Sequence, residues 1–230
     1  MIALNIQTDA IEEFAQTGRI WLRGAFSETE TEALKAVAST SQGPGSRLRL
    51  SDALRRLLTS NALLAEAATR LGCDTTPVRL VSFTKSASTQ WAVPWHQDRV
   101  IAVGGHKNVR GYKSWVQKPD FWHCEPPLEV MDGMIFVRIH LDANTEENGA
   151  LDIAVGSHRF GRVAADEASD VANQCEREVC IAQPGDVLIV HALTLHRSTS
   201  AERPSPRCVL RVDYANRSLL ADELDWAIAD

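Results

Sequence analysis

Three stretches of this sequence carry side chains able to hold a metal. Pro94-Trp95-His96-Gln97-Asp98 sets a histidine and a carboxylate two positions apart, and in an extended segment that spacing turns both to one face. His140-Leu141-Asp142 repeats the spacing, so the pair alone carries little weight; Asp142 reads more simply as the start of the following turn. The run from Gln183 to Ser198 reads as a turn, an apolar strand and a histidine, His196, at the strand exit. His191 lies on the same run, but strand alternation turns it to the opposite face from His196. Two histidines and one carboxylate on one side of a metal leave three coordination positions open. That donor set suits non-haem Fe(II) and O2 chemistry, and zinc accepts the same ligands in hydrolases.

An anionic cosubstrate chelating such an iron needs a cation to hold its far end. Arg207, just ahead of the β-rich run Cys208 to Val212, supplies a guanidinium fork for a carboxylate, with the Ser198 hydroxyl as a second donor. Arg211 alternates onto the same face and is the alternative arginine. Arg138 and His140 share one face of the run Met134 to Leu141, while Ile135, Val137, Ile139 and Leu141 take the other. Turned inward, that polar pair suits a substrate or cosubstrate bearing a carboxylate or phosphate. Trp115 and Trp122 lie in the segment 104–127, rich in Gly, Lys, Pro and Trp and without clean periodicity. The segment reads as a lid-like insertion over one mouth of the core, so the expected substrate contacts are Arg138, His140, Trp115 and Trp122.

The elements that position these residues divide the chain in two. Ile11 and Phe14 at helical spacing, then Gly18 and the apolar Ile20-Trp21-Leu22, predict a helix, a stop and a strand. A second helix is expected after Ser27, and Ser51 to Arg70 continues the helical repeat through Leu54, Leu57, Leu58, Leu63, Leu64 and Ala68. After Thr76 the texture changes to short β-rich runs separated by Gly, Pro, Asn and Asp turns rather than by crossover helices. The expectation is a single domain over 1–230: a mainly helical flank, 1–75, against an antiparallel sandwich or jelly roll, 76–215, carrying the 104–127 insertion.

Length and composition narrow the function classes. The chain has 230 residues, 44% hydrophobic and 23% charged, enough for one sizeable core. A formal charge of −6 provides no basic field, so nucleic acid is not an expected partner. The opening residues carry Asp9, Glu12 and Glu13 instead of a basic region and apolar run. The longest apolar stretch, Val187 to Leu195, is about half a membrane span. A soluble, cytoplasmic protein acting on a small molecule is expected. Five cysteines without a C-x-x-C pair read as reduced thiols rather than a disulfide framework.

Taken jointly, these motifs resemble the phytanoyl-CoA dioxygenase-like Fe(II)/2-oxoglutarate oxygenases over nearly the whole chain. Phe14 to Leu22 with Gly24 is similar to the family's opening, and Trp95-His96-Gln97-Asp98 to its H-x-D segment. Leu141-Asp142, Asn148-Gly149-Ala150-Leu151 and Gly156-Ser157-His158 resemble its central stretch, and Gly185-Asp186 through His196-Arg197-Ser198 with Arg207 its distal strand. Val155 stands where the family often has proline, and Arg138 and His140 where it commonly carries apolar or aromatic residues.

The resemblance implies a double-stranded β-helix, mainly β with flanking helices. It implies iron at His96, Asp98 and His196, 2-oxoglutarate at Arg207 and Ser198, and O2 as co-oxidant. The activity implied is hydroxylation of a C–H bond, with release of succinate and CO2; the limited room in 230 residues and the polar face of Arg138 and His140 point to a small polar metabolite as the substrate. Two other readings stay open: a zinc-dependent metallohydrolase with Glu125 or Glu129 as base, and a non-catalytic metal-binding jelly roll.

Overall fold

The computed structural model describes residues 8–38, 43–119 and 121–227. In chain order, α1 (Thr8–Thr17) and β1 (Arg19–Leu22) are followed by α2 (Glu28–Ala38), β2 (Gly43–Arg47), α3 (Asp52–Thr59) and α4 (Ala62–Arg70). Next come β3 (Arg79–Lys85), β4 (Val93–His96), β5 (Ile101–Val103), β6 (Lys113–Gln117), β7 (Trp122–Glu125) and the short α5 (Leu128–Asp132). The remainder is β8 (Met134–His140), β9 (Leu151–Ala154), α6 (Ala168–Ala172), β10 (Arg177–Val179), β11 (Val187–His191), β12 (His196–Ser198) and β13 (Arg207–Ala215).

Local chemistry accounts for the helical flank. Gly18, in the left-handed region with φ +72°, closes α1 through its N–H to Phe14 O, and β1 begins at once. Ser27 and Glu30 form a reciprocal capping box at the start of α2, with Ser27 N–H donating to Glu30 Oε2 at 2.8 Å. The single helical repeat expected from Ser51 to Arg70 is instead two helices. Asn61 interrupts it by accepting the Leu64 N–H at 3.0 Å and donating to Ala25 O, so the chain restarts there as α4.

Two antiparallel sheets make the core, a jelly roll of the double-stranded β-helix type. One has the order β1-β11-β8-β13-β3-β2 and the other β10-β9-β12-β4. The outer face of the larger sheet presents Ile135, Val137, Ile139, Leu210 and Val212 to Leu34, Leu54, Leu58 and Leu64 of the helices. Each fully buried leucine there contributes about 1.5–3 kcal/mol relative to exposure. Strand alternation then forces the other residues of β8 and β13 inward, among them Phe136, Arg138, His140, Arg207 and Arg211, all buried. The polar face of β8 therefore points into the barrel.

Segment 104–127 has regular structure of its own: β7 pairs with β6 on one side and with β5 on the other in a three-stranded sheet. It packs on Val78, Met131, Met134, Phe136 and Trp226. All five cysteines are free. No helix among the described residues is long and apolar enough to cross a membrane.

Candidate active site

Antiparallel pairing of β4 with β12 sets His96 directly opposite His196. Their ring centroids lie 4.3 Å apart, and Asp98, just beyond β4, brings Oδ2 to 3.6 Å from His196 Nε2. Donor atoms of the three residues all lie within 4.8 Å of one another. Nδ1 of His96 is 2.8 Å from Pro94 O and Nδ1 of His196 is 2.9 Å from Thr194 O. A carbonyl oxygen only accepts, so each Nδ1 carries a hydrogen, and the neutral ring then has its lone pair on Nε2, toward the cluster. Backbone bonds of this kind fix tautomer and ring orientation in metal-binding histidines. Gln97 alternates to the other face, where it bonds Gly161 O, Leu193 O and the Val163 N–H, locking the segment in place.

Asp98 is kept ionised. Burial alone raises a carboxyl, but the Arg211 guanidinium holds Asp98 well below the usual carboxylate range. Arg211 donates Nη1 to Asp98 and Nε to Asp213 Oδ1 at 2.6 Å, and Arg79 donates to Asp213 Oδ2 at 2.6 Å. Arg211, the alternative arginine for an anionic cosubstrate, is thus committed to carboxylates of the protein.

A cavity of about 310 Å³ opens on His96, Asp98 and His196, at the low end of the roughly 300–1,000 Å³ usual for small-molecule sites. Arg207 and Ser198 line it. Arg207 donates Nη1 to Gly149 O at 2.6 Å and to Asn144 Oδ1 at 3.2 Å, while its buried Nε has no partner. Across the β13–β3 register Arg207 stands opposite Lys85, a fully buried lysine that sequence reasoning missed. Lys85 Nζ donates to Ser198 Oγ at 2.9 Å and to Thr199 O at 2.6 Å. Burial first, then Arg207 and Arg138, pushes Lys85 down to about 8. Gly149 makes this close packing feasible: at φ +74° it has no Cβ, which would sit 2.6 Å from Thr199 O and 2.9 Å from Lys85 Nζ.

The four expected substrate contacts separate. Arg138 lines the cavity. His140 shares its face but lies farther along the strand, stacked on Trp21 at 5.7 Å with Nδ1 3.2 Å from Asp186 O, outside the cavity lining. Trp115 and Trp122 are also outside it, packed around His106 at 4.6 and 5.1 Å. The strand pairing of β6 with β7 directs them there, and the segment reaches the cavity through Lys118 instead. His191 packs against His158 and Phe14, away from the cluster.

His140 gives the fold an acid-labile element. Burial first, then Arg138, lowers its pKa from 6.5 to about 3. The unfolded chain therefore binds a proton that the folded chain refuses, so this contribution is full above pH 6.5 and is lost as pH falls through the window toward 3. Between pH 6 and 4 the unfolding free energy of the native chain should drop about 1.4 kcal/mol per pH unit faster than that of His140→Phe. Urea unfolding at several pH values measures it, and parallel slopes would refute it.

Comparison with known proteins agrees with this architecture. The sequence model of the phytanoyl-CoA dioxygenase (PhyH) family matches residues 5–207. No curated protein sequence matches the chain. Among solved structures, EctD from S. alaskensis in its apoform is 19% identical with a TM-score of 0.70, covering 95% of this chain and 80% of its own. SnoK, a non-haem α-ketoglutarate-dependent carbocyclase from nogalamycin biosynthesis, is 17% identical with a TM-score of 0.65, covering 92% and 85%. HygX from Streptomyces hygroscopicus, with nickel and 2-oxoglutarate bound, is 14% identical with a TM-score of 0.62, covering 93% and 88%. The fold and the family match define an Fe(II)/2-oxoglutarate-dependent oxygenase, a class whose cofactors are Fe(II), 2-oxoglutarate and O2. The chain belongs to the phytanoyl-CoA dioxygenase family.

The residues present fit those cofactors. Two imidazoles and a carboxylate suit Fe(II) with positions left open. The unpartnered buried Nε of Arg207 suits a carboxylate at the far end of the cavity.

Proposed function

We propose that His96, Asp98 and His196 hold Fe(II), and that Arg207 and Ser198, with Lys85 behind Ser198, hold the far carboxylate of 2-oxoglutarate. The supporting observation is the pair of Nδ1-to-carbonyl bonds that leaves two imidazole lone pairs facing Asp98. Bound Fe(II), with 2-oxoglutarate and O2, supplies oxidative decarboxylation to succinate and CO2 and the oxidising power to hydroxylate a C–H bond. The chain's own work is positioning. Pro94 O and Thr194 O hold the two rings, and Arg211 holds Asp98 ionised. Lys85 occupies one lone pair of Ser198 Oγ, leaving its hydroxyl hydrogen to donate into the cavity. The substrate is a small polar metabolite met in the cytoplasm.

The zinc hydrolase reading fares worse because it needs a positioned base. Asp98 is the only acidic residue among the described cavity-lining residues, Glu125 is paired with Arg162 at 3.1 Å, and Glu129 is exposed outside it. Anaerobic titration of metal-free protein with Fe(II) and then 2-oxoglutarate is the test. A visible metal-to-ligand charge-transfer band is the expected result; iron binding without a band on addition of 2-oxoglutarate would overturn the proposal.

A further inference from the structure

The cavity is far more cationic than its cofactors require. Besides Arg207 it is lined by Arg47, Arg79, Arg138, Arg197, Arg211 and Lys118. Three of these have carboxylate partners: Arg79 and Arg211 share Asp213, and Arg197 pairs with Asp152 at 2.7 Å. Arg138 differs from them. It is 8% exposed, its Nε has no hydrogen-bond partner, and it forms no ion pair with any described residue. Its guanidinium lies 5.6 Å from the centre of the Phe83 ring, and it stands opposite Arg211 in the β13–β8 register.

A buried guanidinium without a counter-ion is costly, so such a group implies an anion that arrives with a ligand. 2-Oxoglutarate brings two negative charges, whereas Lys85, Arg138 and Arg207 carry three positive ones and Fe(II) beside Asp98 a fourth. The loaded site keeps an excess of positive charge. Lys118, exposed at the rim, and Arg47 extend that field to the mouth, where it draws anions inward.

Resting on the oxygenase reading above, we propose that the substrate is a small organic anion whose carboxylate, sulfate or phosphate group pairs with Arg138. The planar fork of Arg138 binds such a group in a charge-assisted, two-point contact and thereby fixes which C–H bond faces the metal. The modest cavity volume restricts the substrate to a small molecule.

Calorimetric titration of Zn(II)-substituted protein saturated with 2-oxoglutarate tests this without turnover, with propionate and methyl phosphate as anionic probes and propionamide as the neutral control. In the native chain at least one anion should bind at least tenfold more tightly than propionamide, an arm that needs no variant. Arg138→Gln, checked for folding by thermal melting, should lose at least tenfold in anion affinity while its 2-oxoglutarate affinity stays within twofold. Arg138→Lys, which keeps the charge and loses the fork, should fall between the native chain and Arg138→Gln.

Anions binding no better than propionamide, or equally well in Arg138→Gln, would overturn the proposal. So would a loss of 2-oxoglutarate affinity in Arg138→Gln as large as the loss of anion affinity, which would assign Arg138 to the cosubstrate. Failure of the native chain to bind 2-oxoglutarate in the same cell would instead bring down the oxygenase reading, and this step with it.

Discussion

Fe(II) is expected to bind at least ~1,000-fold more weakly to His196→Ala than to the native chain, a loss of about 4 kcal/mol. Its 2-oxoglutarate turnover is expected to fall to background. The reasoning starts from the donor count. His96, Asp98 and His196 are the one cluster of three such donors among the described residues, so no fourth side chain is at hand to replace a lost imidazole. Removing His196 also leaves Arg211 as the dominant claim on the Asp98 carboxylate. Loss of groups that merely orient a ligand typically costs 10–100-fold in metal affinity, and loss of the ligand itself costs more. A binding isotherm with Fe(II) or Co(II), alongside circular dichroism to verify the fold, measures the effect. Native affinity in the variant would place the metal elsewhere.

Arg207→Leu separates the cosubstrate from the metal. Its 2-oxoglutarate affinity is expected to fall roughly 100-fold or more, because hydrogen bonds to a charged group are worth about 1.5–3 kcal/mol each and the guanidinium can make two. The change also strands the acceptors Gly149 O and Asn144 Oδ1, which Arg207 now satisfies. Fe(II) affinity should stay within about twofold, because Arg207 makes no contact with His96, Asp98 or His196. Lys85→Met should give a smaller loss of about tenfold, since Lys85 acts largely through Ser198 Oγ. Anaerobic titration following the charge-transfer band reads both constants from one sample. Unchanged 2-oxoglutarate affinity in Arg207→Leu would show that the far carboxylate is bound by other residues.

Much of this site was legible in the chain because strand alternation is a local rule. The two-residue spacing of His96 and Asp98 already fixes that they share a face, whereas His191 and His196, expected on one strand, end and begin different strands, β11 and β12, in different sheets, so the turn between them and not alternation parts them. The same rule put Arg138 and His140 together, and both do point into the barrel. Alternation says nothing about depth along a strand. His140 lies one step beyond the cavity, where Trp21 and Asp186 O enclose it, and only Arg138 reaches the open space. Trp115 and Trp122 sit in a segment without periodicity, so nothing local indicated that they would pack around His106.

Lys85 shows the opposite failure. It ends β3, and no motif includes it; its role comes from standing opposite Arg207 in a register set across much of the chain. Arg211 was visible as a cation on the correct face, yet only the packed barrel shows Asp98 and Asp213 converging on it.

By itself the amino-acid order determined the helical flank and the β-rich core, the faces of each strand and the types of donor available, since these depend on spacing and on neighbours a few residues away. Tertiary structure alone decided which cations share the cavity, which of them are neutralised, and that Arg138 forms no ion pair among the described residues. The physical reason is that electrostatic pairing depends on distance in space, and strand register between distant segments sets that distance.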